Sequence, residues 1–409
     1  MRLFVKRESR DIMPPTIIIP KAPLILLVNP WITDFAAFDL WAKPMGLLLL
    51  ASLLRDGGCG VALLDCLERH DPATRQHPDV VPGVDRKHGT GKFPKMEVPK
   101  PLVYAQMPRR YYRHGIHPDS FREKLQSMPR PDLIWVTCTM TYWYPGVQQT
   151  IEMVRRVHPG APIWLGGIYA RLCSRHAAMS CGADEIIDLP SAELPDKIAA
   201  ATGFSMSNKH LWGDFARWPS PALDLLPRLT YAPIMASRGC PFNCPYCASR
   251  ALQPRWERKT PLFIYDEIVK WHRRLGISDF AFYDDALLLD AEAALIPALE
   301  RICKEGPKVR FHTPNAVHIR ALGRGMCHLL QNSGFTTMRL GLETTKADKQ
   351  RAWGGKTDTA MFVAAVNNLL NAGFPKTGIG VYLLCGLPGQ SPEDVAEAVQ
   401  VVRETGAQP

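Results

Sequence analysis

Cys240-Pro-Phe-Asn-Cys244-Pro-Tyr-Cys247 follows directly on the apolar run Ala232-Pro-Ile-Met-Ala-Ser-Arg-Gly239. Three thiols fall within eight residues, in a CxxxCxxC spacing. A loop that short presents its sulfurs to one face of a small inorganic cluster, and three thiolates on a four-iron cluster leave one iron without a protein ligand. An open metal position suits a catalytic centre, whereas a structural zinc site closes its shell with four ligands, usually as two pairs. No second pair follows, because the next cysteines, Cys303 and Cys327, stand alone. Gly239 and the two prolines keep the loop out of helix. Arg238 and Arg250 are expected to offset cluster charge.

Downstream of the loop, apolar runs and amphipathic stretches alternate. Helices are expected over 261–275, 292–304, 326–332, 361–372 and 392–405. Strands are expected over 279–283, 308–313, 337–343 and 378–385. Together with the apolar run before the cysteines, this is a series of strand–helix units, as in a partial (β/α) barrel whose site lies at the carboxyl ends of its strands. Polar residues collect at those ends: the cysteine loop, Asp284-Asp285, Asn315, Glu343 and Gly386.

The cysteine spacing resembles the radical S-adenosylmethionine (SAM) superfamily. The resemblance implies a [4Fe-4S] cluster held by Cys240, Cys244 and Cys247, with SAM chelating the open iron. It places Tyr246 near the adenine and Asp285 on the SAM amino group, with Asp284 a close competitor. Asn315 and Glu343 match positions near the ribose and carboxylate, and Arg339 is a further partner for that carboxylate. The family barrel has six units. Here five are read before Gly406-Ala-Gln-Pro409, so the sequence is expected to be a fragment.

The N-terminal half alternates too. Buried strands are expected over 23–30, 60–65, 132–137, 162–167 and 182–188, with helices over 44–55, 145–157 and 192–201. That order gives a doubly wound, Rossmann-like parallel sheet, which binds ligands beyond the carboxyl ends of its strands. The expected organisation is a lead-in over 1–22, this domain over 23–201 with a basic insertion at 68–117, a linker over 202–229, and the barrel over 230–409. The N-terminal domain resembles the cobalamin-binding domain that precedes many radical SAM modules. The resemblance places Thr137 and Thr139 beside the nucleotide tail of cobalamin, and Gly166 and Gly167 where a side chain would block it. The loop from Trp31 to Gly46 has no DxHxxG motif and no histidine, so it offers no imidazole for cobalt.

Composition is ordinary for a globular chain, with 46% hydrophobic and 22% charged residues. No apolar run is long enough to span a membrane, and no signal peptide is read, so a cytoplasmic protein is expected. Eleven cysteines then imply reduced thiols, and those outside the triad, Cys385 included, are read as small core residues. The net charge of +10 owes much to residues 86–130; with no nucleic-acid-binding motif, this is read as a solvated insertion. The tryptophans Trp135, Trp143 and Trp164 are read as core or interface.

The family resemblance implies an enzyme that cleaves SAM reductively and removes a hydrogen atom from a small-molecule or natural-product substrate. It also implies a one-electron reductant such as flavodoxin or ferredoxin. With cobalamin, the expected reaction is methyl transfer to an unactivated carbon. Alternatives are an oxidative cyclase or ring-rearranging enzyme of the same architecture, a radical SAM enzyme without cobalamin, and an iron–sulfur redox sensor.

Overall fold

The computed structural model describes residues 22–189 and 191–409, so the expected lead-in lies, but for Ala22, outside the described residues. Five N-terminal strands, β1 (Leu24–Asn29), β2 (Gly60–Asp65), β3 (Leu133–Val136), β4 (Ile163–Leu165) and β5 (Glu185–Ile186), form one sheet in the order β5-β4-β3-β1-β2. Every pairing in it is parallel. Ile25 to Val28 are wholly buried because helices cover both faces, which is why the strand reads as an unbroken apolar run. Helix α1 (Met45–Asp56) covers one face with Leu47, Leu50 and Leu54. The helix Tyr144–Val157 covers the other with Val147, Ile151 and Val154.

The second sheet is also five-stranded and parallel: β6 (Ala232–Ile234), β7 (Asp279–Phe282), β8 (Arg310–His312), β9 (Phe335–Glu343) and β10 (Ile379–Leu383), in chain order. Phe280, Phe282, Phe311 and Phe335 form an aromatic stack on its outer face, packed with Ile264, Ile268 and Trp271 of the helix Pro261–Leu275. Alternation along the strands, interrupted in β9 by an irregularity between Phe335 and Thr337, turns Ala281, His312, Thr337, Arg339 and Gly380 to the inner face. Gln408 bridges Gly380 in parallel, where a sixth strand is expected.

The structure adds to the sequence reading in three places. The stretch 68–117 is more regular than its composition suggests. Short antiparallel strands pair Lys95–Glu97 with Tyr112–His114, and Val84–Asp85 with Gly91–Lys92; both sets also pair with the loop after β1. Strands of two or three residues are too short to show a period. The helix Pro118–Ser127 was not anticipated; proline at its first turn and the His117 side chain, accepting from Asp119 N–H at 3.1 Å, start it. Residues 202–229, read as a linker, are packed in, with Trp212, Phe215 and Leu223 buried.

The two sheets are joined by hydrogen bonds far apart in sequence. Tyr231 donates to the Asp39 carboxylate at 2.6 Å, and the Lys43 N–H donates to the hydroxyls of Tyr231 and Tyr283 at 3.1 and 2.9 Å. Arg69 reaches the Gly89 carbonyl at 2.6 Å and the Thr230 hydroxyl at 3.1 Å.

Candidate functional site

Cys240, Cys244 and Cys247 line one cavity of about 70 Å³, with Phe242, Ser249, Asp285, His318, Gly341, Lys356 and Thr357. The loop is anchored from both sides. Cys247 N–H donates to Cys244 O at 3.0 Å, and the hydroxyl of Ser249 lies 3.3 Å from the Cys247 sulfur. Gly239 holds φ +83, where an added Cβ would stand 2.4 Å from Arg255 O, so glycine is required at the loop's entrance. Burial pushes the Cys240 thiol above its ordinary pKa, and the nearby Asp285 carboxylate adds to this.

The paired acids after β7 have different tasks. Asp285 lines the cysteine cavity; burial raises its pKa, and a hydrogen bond with Ser249 opposes the rise. Asp284 is buried and turned away, accepting from Ala236 N–H at 3.2 Å, from Ser237 N–H, and from the Ser237 hydroxyl at 2.7 Å. It clamps the strand that leads into the cysteine loop. Desolvation raises it to about 7 despite these donors.

Asn315 also faces backbone, donating to the carbonyls of Tyr283 and Asp284 at 3.0 and 3.2 Å. Glu343 sits in the left-handed region, φ +67, unusual for a side chain of its size. It pairs with Lys356 at 2.9 Å, and its charge together with burial raises the Tyr246 phenol. Gly341 gives the Glu343 carboxylate room, since a Cβ there would stand 2.8 Å from Oε1. Arg339 lies lower on the inner face with its guanidinium over Gly380, outside the cysteine cavity.

Lys356, Thr357 and His318 went unmarked in the sequence. The first two belong to a strap after the short helix Ala347–Ala352. Gly354, at φ +119, brings that strap against the cysteine loop: a Cβ there would meet the Cys244 sulfur at 3.1 Å. The one available signal was the pair Gly354-Gly355 ahead of a lysine. His318 stacks on Phe242 at 4.3 Å; burial and the charges of Lys356 and Arg320 lower it to about 4.

A second cavity, of about 410 Å³, opens between the carboxyl ends of β3 to β5, helix α1 and the barrel. Thr137, Gly166 and Gly167 line it; Thr139 is exposed and does not. Its walls are mostly apolar, with Trp135, Trp212, Trp218 and the leucines of α1; Arg171, Ser191, Arg238 and Tyr283 add polar groups, and no histidine is among the described residues that line it. Both glycines are dictated by the chain itself. A Cβ on Gly166 would stand 2.6 Å from Trp135 Nε1, and one on Gly167 2.6 Å from Cys138 O. Arg238 lines this cavity, not the cysteine one, and Arg250 is exposed, so neither occupies the charge-offsetting place expected of it. Cys385 is exposed beyond β10, contrary to the core reading.

Residues 234–402 match the radical SAM superfamily. The match takes in the cysteine loop and strands β7 to β10. Among curated proteins, an uncharacterized methyltransferase of Pyrococcus horikoshii is 27% identical over 201 residues, covering 46% of this chain and 41% of its own. The anaerobic magnesium-protoporphyrin IX monomethyl ester cyclase of a Synechocystis species is 29% identical over 128 residues, covering 31% of this chain and 26% of its own. The chain thus spans less than half the length of these curated relatives. Among solved structures, the radical SAM methyltransferase TsrM from Kitasatospora setae, with cobalamin and a [4Fe-4S] cluster bound, superposes with a TM-score of 0.67 at 16% identity, over 95% of this chain and 74% of that one. The cobalamin-dependent radical SAM enzyme OxsB gives 0.60 at 14% identity, over 93% and 52%. These likenesses establish a shared fold that takes in both sheets around the radical SAM domain.

Proposed function

We propose that this protein is a cobalamin-dependent radical SAM methyltransferase acting on a small molecule. One observation carries the reading: the two cavities share two strand ends. Arg238 lines the apolar cavity and Cys240 the cysteine cavity; Tyr283 lines the first and Asp285 the second. Groups held in the two therefore work side by side, as passing a methyl group and a radical within one turnover requires.

The residues suit the groups the reading calls for. Three thiols on one cavity wall fit a [4Fe-4S] cluster with an open iron. Asp285 offers a carboxylate for the amino group of SAM, and Lys356 an ammonium for its carboxylate. The second cavity, walled largely by tryptophan and leucine, would hold a corrinoid by apolar contact, and the chemistry such a group would supply there is methyl carriage. When bound, these groups supply a one-electron reduction of the sulfonium, a carbon radical, and a methyl carrier. The chain's own part is placement. Asp284 fixes the approach to the cysteine loop, Gly354 lets the strap close on Cys244, and Glu343 steers Lys356 toward the cavity. The strap covers Cys244, the one buried cysteine of the three.

Anaerobic reconstitution with iron, sulfide and hydroxocobalamin, then desalting and metal analysis, tests the reading. About four irons and one cobalt per chain are expected. Incubation with SAM and a strong reductant should release 5′-deoxyadenosine and S-adenosylhomocysteine together. The first without the second would favour the cyclase-like alternative suggested by the Synechocystis relative; neither would sink the proposal.

A further inference from the structure

The apolar cavity contains two positive charges that its packing does not explain. Arg171, from the helix Ile168–Leu172, and Arg238, from the strand before the cysteine loop, both line it. Among the described residues neither has an acidic side chain within salt-bridge distance. Glu257, opposite Arg238 in the antiparallel pairing, directs its carboxylate to the Phe215 N–H at 3.4 Å. The Arg238 guanidinium rests on the Trp218 ring, 4.6 Å from its centre, which fixes the charge at the cavity wall. Two guanidiniums that repel each other across an apolar wall are stabilised by an anion between them, and planar forks suit phosphate oxygens. The hydroxyls of Thr137 and Ser191 line the same cavity and add polar partners.

We propose that Arg171 and Arg238 form an anion subsite in this wall, which takes the phosphate or phosphodiester of a ligand whose remaining surface is apolar. In naming a corrinoid as that ligand, the proposal rests on the reading given above. Its phosphodiester is then the one in the nucleotide tail of cobalamin. An apolar substrate bearing its own phosphate has the same chemistry. Arg171 is the residue to change, since Arg238 stands two positions from Cys240.

The test uses the full chain with its cluster reconstituted, as wild type, Arg171→Gln and Arg171→Lys. Hydroxocobalamin is titrated against aquacobinamide, which lacks the nucleotide and its phosphate, with absorbance as the readout. Inorganic pyrophosphate is tested by its effect on Tm. Wild type should bind hydroxocobalamin about ten- to a hundred-fold more tightly than aquacobinamide, the range of a lost charge-assisted hydrogen bond. Arg171→Gln should close that gap by weakening hydroxocobalamin alone, and Arg171→Lys should restore part of it. If neither corrinoid binds but pyrophosphate raises the Tm of wild type and not of Arg171→Gln, the anion subsite stands and the corrinoid reading falls. If Arg171→Gln binds hydroxocobalamin and pyrophosphate like wild type, or weakens both corrinoids equally, the subsite is overturned.

Discussion

Ser237 places both its backbone N–H and its hydroxyl on the same carboxylate oxygen of Asp284. With Ala236 N–H on the other oxygen, three donors meet one buried acid at the root of the cysteine loop. Asp284→Ala leaves them unmet and should cost about 3 kcal/mol or more. Iron retained after reconstitution should fall with it. Ser237→Ala, which removes one donor, should cost about 1 kcal/mol. Full iron loading in Asp284→Ala would show that the loop needs no clamp.

The strap offers a paired comparison. Gly354→Ala combines a left-handed backbone with a Cβ contact of 3.1 Å to the Cys244 sulfur, whereas Gly355, at φ +59, has open space around it. Both substitutions should cost about 1 kcal/mol in backbone strain. Only Gly354→Ala should also reduce iron incorporation. Equal iron contents in the two variants would separate the strap from the cluster.

Lys356→Met should weaken SAM binding about ten-fold while iron content stays at the wild-type level. The ammonium lines the cavity and is held there by Glu343, both side chains being largely buried. Equilibrium dialysis of SAM against the reconstituted protein checks this. An unchanged affinity would leave Lys356 as the partner of Glu343 and no more.

Gly166→Ala should drive the Trp135 ring into the apolar cavity, since the added carbon would stand 2.6 Å from Nε1. Cobalt retained after hydroxocobalamin loading should fall at least ten-fold while iron is unaffected. Equal loss of both metals would mark a general loss of fold.

Acid stability has a definite sign at His114. The side chain is buried, and desolvation lowers its pKa to about 4. Between that value and the ordinary 6.5 the unfolded chain binds the proton and the folded chain does not. Stability therefore falls as pH drops through this window, by up to about 3 kcal/mol. His114→Gln should flatten the dependence measured by urea unfolding between pH 7 and 4. A parallel curve for the variant would show that other groups carry it.

The sequence exposed what its local pattern encodes. The central strands of the first sheet were readable as apolar runs of the length a buried strand takes, those of the second by their alternation with helices, and the cysteine loop because its spacing is its chemistry. Asp284 and Asp285 illustrate the limit. They follow β7, which ends at Phe282, so which of the two enters the cavity turns on the path of the loop and not on a strand's alternation. Thr137 and Thr139 separate for a related reason: β3 ends at Val136, so the alternation no longer governs them. The strap at Gly354 was invisible because its partner, Cys244, is distant in sequence. Arg171 was passed over because a lone arginine on a short helix carries no local mark of the cavity it faces.

The bond from Lys43 N–H to the Tyr283 hydroxyl spans 240 residues. The loop that follows the first strand therefore cannot settle until the seventh has been made. During synthesis the N-terminal sheet leaves the ribosome with one rim unfinished, and the rest of the chain supplies the missing support. Such long closures slow folding. The apolar cavity is accordingly completed late, and any ligand offered to the nascent chain would find it only when the barrel strands are in place.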